Sequence, residues 1–323
     1  MSTSSNRPAS AIKVVVAFAI VYIVWGSTYF FIRLSVLHIP PMMVGALRFL
    51  LAGTLMLLWC LFTGKKLFSW RVMRPAIVSG LLLLGTGNGA LIWSEQYIPS
   101  GLAAILLAAG PVWFVLLDKG KWKENFRSRS TIVGLVVGFV GVLLLFAQQL
   151  SGGLSGDHME TVALVVLVLG SVSWAAGSLY SKYRTAEGSS NAVNAGWQMF
   201  AAGVAFIPAS LVSGEWGKFH PAETPLSSWM GIAYLVTMGS LVGYSAFVWL
   251  LQVRPATQVS THAYVNPVVA VLLGSLFAGE RMSWLQLSGL AVILVSVLLI
   301  NLSKYRSAVG TRPQKRRGVM ATE

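Results

Sequence analysis

The sequence predicts an all-α integral membrane protein of ten transmembrane helices, arranged as two inverted repeats of five. Three observations carry that expectation. Hydrophobic residues make up 55% of the chain and charged residues only 11%, against roughly 25% charged residues in a soluble domain. Apolar runs of about 20 residues, long enough to cross a hydrocarbon core of roughly 30 Å, recur along the chain. The second half also repeats landmarks of the first: Trp93, Pro99 and Pro111 return 156 residues later as Trp249, Pro255 and Pro267, and Gly87 and Ala90 return as Gly243 and Ala246.

The apolar runs fall at about 14–34, 42–62, 75–95, 100–117, 130–149, 161–181, 192–213, 228–250, 257–278 and 284–302. In lipid a backbone must satisfy its own hydrogen bonds, so each run is expected to be helical. The first follows a polar stretch carrying Arg7 and Lys13 but is too long for a signal-peptide core, and no small-residue cleavage site follows it. It is read as an uncleaved first helix.

The remaining segments pair with small shifts that loops absorb. Trp25 and Arg33 match Trp174 and Lys182, Ala52-Gly53 matches Ala202-Gly203, and Gly134-Leu135 matches Gly289-Leu290. The expected organisation is a tail over 1–13, a first repeat over 14–149, an external linker over 150–160, a second repeat over 161–302 and a basic tail over 303–323. Five helices is an odd number, so the second repeat enters the membrane from the opposite side, as in many secondary transporters that work by alternating access.

Charge placement gives the orientation. Of 24 Lys and Arg residues, all but Arg33, Arg48, Lys218 and Arg281 fall at the ends and loops that are cytoplasmic if the N-terminus is inside. That bias fits the positive-inside rule and places both termini in the cytoplasm. The net charge of +14 is spread over membrane-flanking loops and a tail, which suits anionic headgroups rather than nucleic acid. Cys60 is the only cysteine, so neither an intramolecular disulfide nor a cysteine-based metal site is expected.

Helix depth selects candidate pathway residues. Pro111 and Pro267 each lie about ten residues into their helices, near the midplane at 1.5 Å per residue. Each removes a backbone donor and leaves a carbonyl free one turn earlier, at Leu107 and Ala263, either as a packing kink or as part of a gate. Arg48 is a buried cation that needs an acceptor or water; Glu95 is the expected partner, with Arg33 competing for it, and anion binding is the alternative. Asn88, between Gly87 and Gly89, either bonds across an interface or lines the cavity.

The ninth helix offers His262, Tyr264 and Asn266. An imidazole of ordinary pKa about 6.5 could carry a proton or simply pack. Trp25 and Trp174 are the deeper members of the repeated tryptophans and candidates for the cavity wall, whereas Trp93 and Trp249 suit interfacial anchoring. Gly134-x-x-x-Gly138 and Gly239-x-x-x-Gly243 are read as helix-packing motifs alone.

The stretches Trp25-Gly26-Ser27-Thr28-Tyr29-Phe30, Arg48-Phe49-Leu50-Leu51-Ala52-Gly53, Gly87-Asn88-Gly89-Ala90, Pro99-Ser100-Gly101-Leu102-Ala103-Ala104 and Ala263-Tyr264-Val265-Asn266-Pro267-Val268-Val269-Ala270 resemble the EamA family of the drug/metabolite transporter superfamily. Spread over residues 14–302, the resemblance implies two EamA repeats, a bacterial inner-membrane location and transport or export of small metabolites, among them amino acids or related compounds. It also adds Ser27, within its first motif, to the pathway candidates. The first repeat departs from the pattern: Leu117-Asp118-Lys119-Gly120 stands where the second has Gly279-Glu280-Arg281. That loop is expected to lie outside the pathway.

A membrane enzyme is the main alternative, with a non-transporting receptor or channel behind it. Against an enzyme, the chain has no His-Glu-x-x-His, Gly-x-Ser-x-Gly or phosphate-cradling Gly-x-x-x-x-Gly-Lys. No cofactor or metal is expected. The expected partners are the lipid bilayer and a small-molecule substrate, with Glu95 and His262 as the groups available for proton coupling; the sequence carries no signal of oligomeric state.

Overall fold

The computed structural model describes residues 10–98, 103, 106–145, 158–186, 188–278 and 283–310. Among them the chain is all-helical: α1 (Ala11–Val36), α2 (Pro41–Phe62), α3 (Trp70–Ser94), α4 (Leu106–Leu117), α5 (Trp122–Arg127), α6 (Arg129–Leu145), α7 (His158–Arg184), α8 (Asn191–Val212), α9 (Leu226–Val253), α10 (Ala256–Val259), α11 (His262–Ala278) and α12 (Trp284–Gly310). Six of these, α1, α2, α3, α7, α8 and α9, are long and apolar enough to cross a membrane. α5 and α6 meet at 90°. Most of the Pro99–Ala104 motif, the Gly279-Glu280-Arg281 turn, the linker over 150–157 and the last thirteen residues lie outside the described residues.

Local chemistry sets several helix ends. Pro41 opens α2 at a position where a missing N–H costs nothing. Gly64 closes it at φ +71°, with Lys65 N–H donating to Cys60 O and Gly64 N–H to Leu61 O, both at 3.0 Å. The same pair of bonds closes α8 around Gly214, at φ +67°. Both are glycine caps of the Schellman type, in matching places in the two halves. Glu215, just past the second cap, accepts from the N–H groups of Met42 and Met43 at 3.2 and 3.0 Å, so a carboxylate from one half satisfies the first turn of α2 in the other.

The halves pack on one another reciprocally. A Cβ on Gly53 would lie 2.7 Å from Phe200 Cα, and one on Gly203 would lie 2.9 Å from Leu50 Cα. Leu50 and Gly53 are the repeat equivalents of Phe200 and Gly203, so one contact is the image of the other. Residue number rises along α2 as it falls along α8, which makes the two equivalent helices antiparallel where they cross. α6 and α12 do the same: Gly138 meets Ser296, and Gly141 meets Ile293, the equivalent residues exchanged.

Two stretches depart from α-helix at matching places. Leu81–Asn88 in α3 and Leu235–Tyr244 in α9 are π-helical. Wider turns of this kind break the regular i→i−4 ladder and are frequent at functional sites. Nothing in the residue pattern signals them. The ninth apolar run also differs from expectation, because its helix breaks at Ser260-Thr261, between α10 and α11, and Pro267 sits inside α11. In the first half a turn falls at Ala109, two residues before Pro111, and the positions equivalent to Ser260-Thr261 lie outside the described residues.

Candidate functional site

A cavity of about 100 Å³ lies where α1, α2, α3, α4, α7, α9 and α11 converge. Its floor is aromatic. Trp25 and Trp174, equivalent residues of the two repeats, touch edge to face with centroids 5.6 Å apart. Phe247 lies 4.9 Å from Trp25 and 5.5 Å from Trp174, and His262 lies 5.0 Å from Trp25. Two equivalent side chains can meet each other only on the axis relating the halves, so the cavity floor sits on that axis.

The backbone around these rings is also reciprocal. Gly87 lies against Trp174, where a Cβ would stand 3.2 Å from Trp174 Cβ; its equivalent Gly243 lies against Trp25, with 2.7 Å to Nε1. Trp25 Nε1–H donates to Gly239 O at 3.1 Å. Gly239 and Gly243 thus shape the π-helical stretch around Trp25, a role in the site itself beyond the packing expected of that motif. By contrast Gly134 faces α12, and Gly138 faces α12 and the Tyr264 ring of α11; neither lines the cavity.

The polar lining comes from both halves. Arg48 is 5% exposed; its Nε–H donates to Ser240 Oγ at 3.0 Å and its guanidinium carbon stands 4.8 Å from the Phe49 ring centroid. The expected pair with Glu95 is not formed: among the described residues the ion pair is Lys121–Glu124, at 3.1 Å. Arg33 is exposed and Glu95 lies outside the cavity lining. Asn88, His262 and Asn266 line the cavity, and Asn88 Oδ1, Asn266 Oδ1, His262 Nε2 and Trp174 Nε1 are buried without a hydrogen-bond partner among the described residues. Such atoms are costly unless something else meets them. Leu107 and Ala263, whose carbonyls face the prolines one turn on, also line it.

Four expected pathway residues lie outside the lining. Tyr264 donates its hydroxyl to Leu135 O at 3.0 Å and packs toward α6. Ser27 bonds Val24 O at 2.7 Å and the Tyr234 hydroxyl at 2.6 Å. Neither Pro111 nor Pro267 contributes to the lining, although Gly110 does. One residue the sequence reading missed is Tyr244, whose ring faces the cavity while its hydroxyl donates to Gln198 Oε1 at 3.1 Å. Gln198 in turn donates to Ser79 Oγ at 2.8 Å and Ser181 Oγ at 3.0 Å, a buried network that fixes the tyrosine. Among the described residues no group of three His, Cys, Asp or Glu could hold a metal ion.

The two ends of the bundle differ. From the aromatic floor the cavity rises toward Ile32 and Leu91, near the C-terminal ends of α1 and α3. Two turns beyond Trp174 along α7 and outside this lining, Lys182 Nζ donates to the carbonyls of Leu251 and, at 2.7 Å, Arg254, the free acceptors where α9 stops. Beside it the Tyr183 hydroxyl donates to Asp118 Oδ1 at 2.8 Å. Asp118 belongs to the loop expected to be a bystander, and it ties the end of α4 to the end of α7. Lys182 is the repeat equivalent of Arg33, and the guanidinium of Arg33 makes no hydrogen bond with a described residue but stands within electrostatic reach of Glu95, the carboxylate for which it was expected to compete.

A helical bundle of two reciprocal halves around a partly polar cavity is the architecture of a membrane transporter. Residues 12–147 and 161–302 each match the model of the EamA-like transporter family, and the chain belongs to that family. It is a membrane transporter. It is similar to the Escherichia coli (strain K12) protein named uncharacterized inner membrane transporter YedA, with 38% identity over 88% of this chain and 89% of the relative. A protein of the same strain named probable amino-acid metabolite efflux pump is 26% identical, over 90% and 95%. A solved crystal structure matches 92% of this chain and 99% of its own with a TM-score of 0.74 at 17% identity, a likeness of fold.

Proposed function

We propose that the protein is a secondary transporter that moves small organic metabolites outward by alternating access of two inverted five-helix repeats, over 14–149 and 161–302, crossing the membrane ten times with both termini in the cytoplasm. The carrying observation is the asymmetry between two equivalent cations: Lys182 clamps the end of α9 through two carbonyls, while Arg33 donates no hydrogen bond to a described residue and stands only within electrostatic reach of Glu95. In this orientation the clamped end is cytoplasmic, so the cavity faces outward. Repeat symmetry maps the carbonyls of Leu251 and Arg254 onto those of Glu95 and Ile98. In the inward-facing state Arg33 takes those two carbonyls and Lys182 releases its own. Two nearly equivalent halves exchange conformations at little net cost, because each state makes one such clamp.

Trp25, Arg48, Asn88, Trp174, Tyr244, His262 and Asn266 are the proposed solute-binding set. The name of the efflux relative extends the reading to amino acids or related compounds. The test is flux in liposomes carrying the purified protein, loaded with a metabolite panel, with and without a pH gradient. Counterflow of at least one solute is expected. Absence of flux for every solute, together with turnover of a lipid or metabolite, overturns the reading. Flux that follows the pH gradient and loses that dependence in His262→Gln assigns the imidazole a proton, and flux indifferent to the gradient removes that role.

A further inference from the structure

The structure assigns Arg48 as the recognition group for a carboxylate, so that the solutes of this transporter are monoanionic or zwitterionic organic acids with an apolar or aromatic body. This rests on the reading of the cavity as the solute site. Arg48 is 5% exposed and lines the cavity. A guanidinium stays charged, and a buried charge without a counter-ion is costly. Here its hydrogen-bond partner is the neutral hydroxyl of Ser240, held by Nε alone. The two terminal nitrogens donate to no described residue, and neither is among the atoms sealed from the cavity.

The surroundings fit a carboxylate and exclude a cation. Among the described residues no Asp or Glu lines the cavity, and Arg48 is the sole Arg or Lys there. A cationic solute would meet uncompensated repulsion, and a dianion would bring a charge that nothing there balances. Gly239 clears the guanidinium on one side, where a Cβ would stand 3.2 Å from Nη2. With Nε fixed on Ser240 and the guanidinium laid over Phe49, the terminal fork is presented for a bidentate contact, the geometry that suits a planar carboxylate. Trp25, Trp174 and Phe114 supply an apolar seat for the body of the solute. The unpartnered Oδ1 atoms of Asn88 and Asn266 can accept from the ammonium of a zwitterion, which is why both kinds of acid are admitted.

Four probes of one shape separate the contributions: 3-phenylpropanoate, its amide, 2-phenylethylamine and phenylalanine. Binding to the purified full chain is read by intrinsic tryptophan fluorescence and uptake by liposome counterflow. The two carboxylates are expected to bind at least tenfold more tightly than the amide or the amine. Arg48→Gln is expected to remove that discrimination by weakening acid binding at least tenfold more than amide binding, and Arg48→Lys to keep part of it. Wild-type protein that binds the amide or amine as well as the acid overturns the assignment, whatever the variants do. So does a folded Arg48→Gln protein that still prefers the acid. If Arg48→Gln does not fold, Ser240→Ala, which frees the guanidinium from its hydroxyl, is expected to weaken acid binding selectively; equal weakening of acid and amide overturns the proposal. Discriminating binding without any flux would instead sink the transport reading and leave Arg48 as a carboxylate site.

Discussion

Lys182→Met is expected to cut flux tenfold or more while the protein still folds and inserts. Methionine keeps the length and apolar stem of lysine and removes two charge-assisted bonds, to Leu251 O and Arg254 O. Hydrogen bonds to charged groups contribute about 1.5–3 kcal/mol each. Losing the pair therefore shifts the balance between the two access states by at least tenfold, since about 1.4 kcal/mol is a factor of ten. Transport needs both states in turn, so a bias either way slows the cycle. Two further measurements separate this from simple damage. A cysteine at Ser260, buried on the cavity wall, is expected to react faster with a thiol reagent supplied from the Lys182 side. Arg33→Met is expected to bias the protein the other way, and the double variant to recover much of the lost flux. Unchanged flux in Lys182→Met, or unchanged labelling of the Ser260 cysteine, means that the clamp does not hold this end shut.

Gly53→Leu is expected to abolish folded protein altogether. Even the first carbon of a side chain there would stand 2.7 Å from Phe200 Cα, and the obstacle is helix backbone rather than the tip of a flexible side chain. Overpacking a core costs typically about 1–3 kcal/mol when side chains can move aside; here α2 and α8 must separate. Their contact joins the two halves, so its loss exposes the reciprocal face of each. Gly203→Leu is expected to fail in the same way, because it meets the Leu50 backbone from the other side. Gly217→Ala is the control, since a Cβ there meets nothing within 4 Å. Fluorescence-detected gel filtration and thermal unfolding in detergent give the readout. Monodisperse Gly53→Leu protein with an unshifted melting temperature would show that the two halves are held together elsewhere.

The duplication was legible because Trp and Pro recur at a fixed offset, and because matching offsets run through several pairs of segments. The membrane class was legible from composition. Which helix face points inward was only partly so. Trp25, Thr28, Tyr29 and Ile32 follow the spacing of one helix face and all line the cavity, as do His262 and Asn266, four apart. Tyr264 and Ser27 fall two residues from His262 and Trp25, about 200° around a helix, and point away. Periodicity could have removed both. Arg48 was assigned to Glu95 on depth alone; azimuth and the fold bring Ser240 from the other repeat instead. The π-helical stretches leave no signature in residue type, and they turn Tyr244 inward. Pro267 misled because a proline within a membrane helix need not break it, whereas the break at Ser260-Thr261 carries no proline at all.

The measurement that bears most directly on alternating access is a reversible lock across the clamped end. In a background with Cys60→Ala, cysteines at Asp118 and Tyr183, whose side chains meet at 2.8 Å, are joined by a short bifunctional reagent that forms cleavable disulfides. Flux in liposomes is expected to stop on cross-linking and to return on reduction, while solute binding from the opposite side persists in both conditions. Cross-linked protein that transports at the rate of the unlinked protein would contradict the account, because the end closed by Lys182 and Tyr183 would then not need to open.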